Sequence, residues 1–286
     1  MKLPGPILIT GATGQQGGAV LRELLRGGHM VRAMTRKPEG DPAKSSAARG
    51  VEIVKADLDD AASLSRALRG VWGLFAVENT WEAGVEREEE QGKRLIDVAR
   101  ESGVQHFVYT SVGSAHRHTG IPHFENKWRV EQKLRGAGLP SWVVIRPAFF
   151  MENLASPWFK PSIDQGRLVV ALDPKTKLQM IAVADIGGYG RVAFERYESM
   201  NGRSIDIAGD EKTMPETAAI IGKASGKAVT FERQPIEQVR QYNADFAAML
   251  EWFDRVGYNA DIAANAKEFG IPPTGLEAWS STVSWV

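Results

Sequence analysis

Thr10-Gly11-Ala12-Thr13-Gly14-Gln15-Gln16-Gly17-Gly18 decides how this chain is read. A short apolar run, residues 7–10, precedes it and reads as a strand. Val20, Leu21, Leu24 and Leu25 follow at helical spacing, and Gly27-Gly28 ends that helix. Glycines at 11, 14 and 17 give the pattern GxxGxxG. A tight turn needs a residue without Cβ, and close approach of backbone to a pyrophosphate needs another. Free N–H groups at the helix start then hold the phosphates. A bare glycine pattern also fits a flexible turn. The strand before it and the helix after it make it a dinucleotide signature. Gly11, Ala12, Thr13, Gly14, Gln15, Gln16 and Gly17 are therefore the expected phosphate cradle.

Outward from this turn, short apolar runs alternate with amphipathic stretches. Strands are expected at 30–34, 51–56, 72–77, 107–111 and 142–146. Helices are expected around Leu64 and Leu68, over 86–102 and over 127–135. Strands without period-two alternation, joined by helices, imply a parallel sheet covered on both faces. The expected fold is α/β, a Rossmann doubly wound parallel sheet. Residues 1–153 form its core, and 154–286 form a smaller α+β lobe that completes the same domain. In that lobe, 168–172 and 178–183 read as a hairpin-like pair, Asp185 as the cap of a helix, and 235–256 as one long helix. The acidic run 86–90 opens a helix, where negative charge suits the dipole and needs no partner.

The chain has 286 residues, 43% hydrophobic and 24% charged, which is ordinary globular usage. Basic and acidic residues balance at 35 each, so no general field draws in nucleic acid or an anionic membrane, and neither partner is expected. The absence of cysteine excludes disulfides, thiolate catalysis and cysteine zinc sites, and fits a cytoplasmic location. The N-terminus lacks the apolar segment of a signal peptide, and no apolar run is long enough to span a bilayer. Oligomerisation stays open.

Cofactor choice is read at the end of the second strand, where an acidic residue would bind the ribose of NAD. Here stand Thr35-Arg36-Lys37, with Arg36 19 residues after Gly17. Guanidinium and ammonium groups suit a 2′-phosphate, so NADP(H) is the expected cofactor. Asp57 and Leu58 are expected to flank the adenine. The stretch after the fourth strand, including Val77, Glu78, Asn79 and Thr80, is expected near the middle of the dinucleotide.

Together these segments resemble the NmrA-like family, a branch of the atypical short-chain dehydrogenases, and within it the HSCARG type of NADPH-binding protein. The carrying segments are TGATGQQGG at 10–18, TRKP at 35–38, NTWE at 79–82 and QGKRLIDVA at 91–99. VYTSV at 108–112, HFENK at 123–127, RPAFFMEN at 146–153 and VADIG at 183–187 complete them. The resemblance implies that the glycine turn, Arg36, Lys37, Asp57, Leu58, Glu78–Thr80, Lys127, Phe150, Met151, Glu152 and Asn153 surround the cofactor. Related sensors carry a threonine where this chain has Glu78, whose carboxylate would repel a pyrophosphate.

Short-chain reductases hold a tyrosine and a lysine four residues apart. This chain has His123 and Lys127 at that spacing, without the tyrosine. An imidazole with an ordinary pKa of about 6.5 is part-protonated at neutral pH and can supply a proton. Lys127 can do so if burial lowers its pKa, and otherwise only binds cofactor. Ser111 is expected to position a substrate oxygen, and Pro147 to lie beside the nicotinamide with Phe149 and Phe150. The histidines at 116, 118 and 123 read as a polar loop rather than a metal site. Two functions follow: reduction of a small apolar carbonyl or enone-like substrate, or NADP(H) sensing that presents the second lobe to a regulatory protein partner.

Overall fold

The computed structural model describes residues 3–285. Its first half alternates as read: β1 (Ile7–Ile9), α1 (Gln15–Arg26), β2 (Val31–Thr35), α2 (Asp41–Ala47), β3 (Glu52–Lys55), α3 (Ala61–Ala67) and β4 (Gly73–Ala76). Next come α4 (Thr80–Ala83), α5 (Val85–Glu101), β5 (His106–Thr110), α6 (Pro122–Arg135), β6 (Trp142–Pro147) and β7 (Phe149–Phe150). The second half holds α7 (Lys160–Asp164), β8 (Arg167–Val170), β9 (Lys177–Ile181), α8 (Val183–Glu195), α9 (Tyr197–Met200) and β10 (Arg203–Ile207). Then follow β11 (Asp210–Thr213), α10 (Met214–Ser225), β12 (Thr230–Arg233), α11 (Ile236–Tyr242), α12 (Ala244–Arg255), α13 (Ile262–Phe269) and α14 (Leu276–Ser280).

Seven parallel strands form the main sheet in the order β10-β6-β5-β4-β1-β2-β3. The order reverses at β1, between β4 and β2, so the strand ends open a crevice there. Successive residues of β1 serve opposite faces: Ile7 and Ile9 pack in one core with Leu21 and Leu24, Leu8 in another with Leu64, Leu95 and Leu134. That two-sided burial is why the strands read as unbroken apolar runs. Each fully buried Leu or Ile contributes about 1.5–3 kcal/mol.

The second half does not sit apart from this sheet. It supplies β10 as the seventh strand and lays α8 against α1. The two helices approach at Gly187 and Gly190, where a Cβ would lie 2.8 Å from the Ala19 carbonyl oxygen and 2.6 Å from a Val20 methyl. A third core, from Phe124 to Trp252 and Trp279, fills the space under the lobe.

Three local expectations change. β8 and β9 are not a hairpin: β8 pairs in parallel with β12, while β9 joins β7 and β11. The run 235–256 breaks at Asn243, whose extended backbone and side-chain bond to the Phe246 N–H start a new helix. Asp185 lies inside the first turn of α8, and its carboxylate accepts from the N–H and hydroxyl of Thr274. Among the described residues no helix is long and apolar enough to cross a membrane.

Candidate active site

The glycine turn is built by backbone bonds. Gly11 has φ of 57°, and the Gly14 N–H donates to its carbonyl at 2.8 Å. A Cβ on Gly17 would sit 2.3 Å from that same oxygen, so only glycine lets α1 start this close to the turn. Thr10 Oγ1 accepts from the Val77 N–H at 2.7 Å and donates to its carbonyl at 2.9 Å, tying the ends of β1 and β4 together. No side chain caps α1, which leaves the N–H groups of its first turn for an anion.

From this turn runs one cavity of about 1250 Å³. Gly11, Thr13, Gly14, Gln15, Gln16, Gly17, Arg36, Lys37, Asp57, Leu58, Val77, Glu78, Asn79 and Thr80 line its first stretch. Ser111, His123, Lys127, Pro147, Phe150 and Asn153 line its deeper end. Ala12, Met151 and Glu152 do not line it. Ala12 and Met151 point into the cores. Glu152 accepts from the Val183 N–H at the start of α8 and from Trp279 Nε1, and so anchors the lobe instead. Arg36 is ion-paired with Glu82 of α4 across the rim.

At the deeper end, Lys127 is buried between two carboxylates. Its Nζ lies 2.7 Å from Glu88 Oε1 and 3.5 Å from Glu78 Oε2, and 5.5 Å from the centre of the Tyr109 ring. Glu88 also accepts from the Thr80 hydroxyl and, at 2.7 Å, from Asn126 Nδ2. Burial alone would lower the lysine pKa. The charges of Glu88 and Glu78 outweigh it, and the pKa is raised. The condition under which Lys127 would give up its proton, a pKa lowered by burial, is not met, and the alternative of a lysine that keeps its charge fits the two carboxylates. Burial penalises Glu88 too, but Lys127, Thr80 and Asn126 bring its pKa below the ordinary value. Glu78, buried and with Oε1 unpartnered among the described residues, is pushed up to about 7 by desolvation, with Lys127 opposing. Its carboxyl therefore turns toward the lysine and carries less charge toward a pyrophosphate than an exposed glutamate would.

A carboxyl whose folded pKa is raised holds a proton that the unfolded chain has released. Its contribution is present at low pH and lost as pH rises from 4.5 through about 7. Glu78→Gln removes that dependence. Relative to wild type, the variant should gain on the order of 2–3 kcal/mol between pH 4.5 and 8. Urea unfolding at both pH values checks this; a difference that does not change with pH refutes it.

Because α6 begins at Pro122, His123 and Lys127 lie one turn apart on it. His123 Nδ1 is bonded to Asp245 of α12, and Trp81 of α4 lies against the ring at 5.4 Å. His116, at the surface, instead accepts from Arg146 at 2.7 Å, and Arg146 is in turn paired with the buried Glu131. Among the described residues no group of three potential metal ligands forms. Ser111 Oγ is buried in the cavity wall and has no hydrogen-bond partner among the described residues.

Two residues of this site escaped the sequence reading. Glu88 was expected to need no partner. It falls on the buried stripe of α5 with Gln91, Gly92 and Leu95, and that helical spacing was the signal for it. Asp245 had no local signal, since it meets His123 from 122 residues away. Trp252, Trp279 and Trp285 are core, whereas Trp158 is 78% exposed at the cavity mouth.

The fold recurs in known proteins. The NmrA-like family matches residues 5–280. A (4-alkanoyl-5-oxo-2,5-dihydrofuran-3-yl)methyl phosphate reductase from Streptomyces griseus is 30% identical, over 96% of this chain and 96% of its own. The structure of an NADPH-dependent quinone oxidoreductase from Escherichia coli complexed with NADPH is 26% identical. It superposes with a TM-score of 0.82, over 96% of this chain and 99% of that one. NmrA, a negative transcriptional regulator in complex with NADP, is 21% identical and shares the fold, with a TM-score of 0.80 over 99% and 96% of the two chains. Fungal oxidoreductases of the family match over about half their own length. The matches define the family rather than the HSCARG-type branch within it. With the glycine turn, the seven-stranded sheet and this match over nearly its whole length, the chain belongs to the NmrA-like family.

Proposed function

We propose that the protein is an NADPH-dependent oxidoreductase of a small apolar carbonyl or enone-like substrate. One observation carries this reading: a single cavity joins the glycine turn to an aromatic chamber walled by Phe124, Phe149, Phe246, Met249 and Tyr258. Ordinary ligand pockets enclose about 300–1,000 Å³. This one, at about 1250 Å³, has room for a second molecule beside a dinucleotide. The residues fit the cofactor: the turn excludes any Cβ at Gly17, α1 starts uncapped, and Arg36 stands at the end of β2. When bound, the dinucleotide supplies the hydride. The Lys127 ammonium, held by Glu88, offers a fixed positive charge to the cofactor ribose. The Ser111 hydroxyl is free to donate to a substrate oxygen, and His123 is the candidate proton donor. NADPH consumption measured across a carbonyl and quinone panel tests the reading, and no turnover on any member would overturn it.

NADPH should bind more tightly than NADH. Removing a charged hydrogen bond to the 2′-phosphate costs about 1.5–3 kcal/mol, so Arg36→Ala should weaken NADPH by that amount and leave NADH almost unchanged. Calorimetric titration decides; equal wild-type affinity for the two cofactors refutes the assignment.

A second reading, an NADP(H) sensor with a regulatory protein partner, has one observation in its favour. Trp81, Trp158 and Tyr242, each more than half exposed, rim the same cavity mouth. Under that reading NADPH alters limited proteolysis of residues 154–286 and no substrate is turned over.

A further inference from the structure

Asp245 binds His123 twice. Its Oδ2 accepts the His123 backbone N–H at 3.1 Å, and its Oδ1 meets the ring Nδ1. The first bond caps α6, whose own preceding residue, Ile121, has no side-chain oxygen to offer. Capping needs only one oxygen, and the second is committed to the ring. In a histidine–carboxylate pair the carboxylate accepts from the nitrogen that carries the proton, and thereby fixes tautomer and orientation. Among the described residues Nε2 has no hydrogen-bond partner, and the side chain lines the aromatic chamber. Trp81 and Phe124 pack against the ring, with centroids 5.4 Å and 4.8 Å away.

We propose that Asp245 is the positioning residue of a His123–Asp245 pair that delivers the proton of the reduction through His123 Nε2. The proposal rests on the oxidoreductase reading above. It also gives Lys127 and His123, one turn apart on α6, different work. Lys127, clamped by Glu88, keeps its proton, and His123, with Nε2 free, gives one up. As the substrate carbon receives a hydride, its oxygen takes the proton from Nε2. The substrate gains two electrons and two hydrogens, and the dinucleotide is left oxidised. His123 is left neutral, with its Nδ1–H still on Asp245, and water at the cavity mouth returns the proton. The pair also spans the molecule, since α6 lies on the main sheet and α12 on the lobe, so the donor is complete only when the two are docked.

The tautomer is measured without any substrate. Nitrogen-15 NMR of histidine-labelled protein, with the His123 signals assigned by their loss in His123→Phe, should show neutral His123 protonated at Nδ1. Asp245→Asn keeps an oxygen to cap α6 but turns an NH₂ donor to the ring, and should move the proton to Nε2. Wild-type protein with the proton on Nε2, or an unchanged tautomer in Asp245→Asn, overturns the assignment. Turnover is the second arm. Asp245→Asn should lower kcat on the order of a hundredfold with the NADPH KM unchanged, as for a lost general acid. The Asp245→Asn/His123→Phe double variant should be no slower than His123→Phe alone. Full activity in Asp245→Asn overturns proton delivery by the pair even if the tautomer is as expected. Absence of hydride transfer in the wild type overturns the oxidoreductase reading and the delivery step with it, while the NMR result still decides the tautomer.

Discussion

Lys127→Met is expected to destabilise the folded protein by about 3–5 kcal/mol, the scale for removing one partner of a buried ion pair. The reason lies in what remains. Glu88 and Glu78 have side chains 2% and 1% exposed, and among the described residues Lys127 is their only cationic partner. Methionine fills the volume of the lysine stem, so little of the loss comes from packing. Protonation of Glu78 relieves part of it at low pH, so the penalty should be larger at pH 8 than at pH 5. Lys127→Met/Glu88→Gln should recover much of the stability, because the stranded charge is gone. Urea unfolding of the single and double variants tests this. A single-variant loss below about 1 kcal/mol would mean the cluster is not held by charge. On the proposed oxidoreductase reading, Lys127→Met should also lower turnover, read per folded molecule.

Gly17→Ala is expected to abolish NADPH binding, and to cost stability as well, by about 1–3 kcal/mol or more for an overpacked buried site. The added Cβ meets only backbone: Gly11 oxygen at 2.3 Å, Gly11 carbonyl carbon at 2.6 Å and Thr10 oxygen at 2.7 Å. No rotamer relieves such a contact, so α1 must move off the turn. Gly14→Val provides the contrast. Gly14 has φ of −94°, which any residue adopts, and its Cβ would meet one atom, Gly11 oxygen, at 3.3 Å. That variant should fold, with native circular dichroism, yet lose NADPH because a branched side chain stands where a phosphate approaches the helix start. If either variant binds NADPH with wild-type affinity, the cofactor does not sit on this turn.

How far the sequence carries depends on the separation of the partners. The strand, turn and helix of residues 7–26 interact within a few residues, so spacing alone placed them. His123 and Lys127 share a helix, and their spacing of four put them on one face. The partners that set their chemistry come from elsewhere. Glu88 lies 39 residues before Lys127, at a helix start where acid is expected on electrostatic grounds, and that expectation masked its burial. Asp245 comes from a helix that the sequence merged with its neighbour, because Asn243 reads as tolerable inside a helix and its capping bond does not show. The direction of the Lys127 pKa shift followed the same pattern. Burial could be guessed from sequence, but the two carboxylates that overrule it could not. The lobe was least legible because its short strands pair with distant partners rather than with each other.

The contact of α8 with α1 at Gly187 and Gly190 has a practical meaning for anyone redesigning this protein. The exposed residues at the cavity mouth, Trp81, Trp158 and Tyr242, can be varied freely, since none of them is buried in a core. The short span 183–190 is different: side chains added there would lever α1, and with it the phosphate turn, from behind. A library that spares this span leaves the turn in place, whereas one that includes it spends its diversity on variants whose α1 no longer meets Gly11.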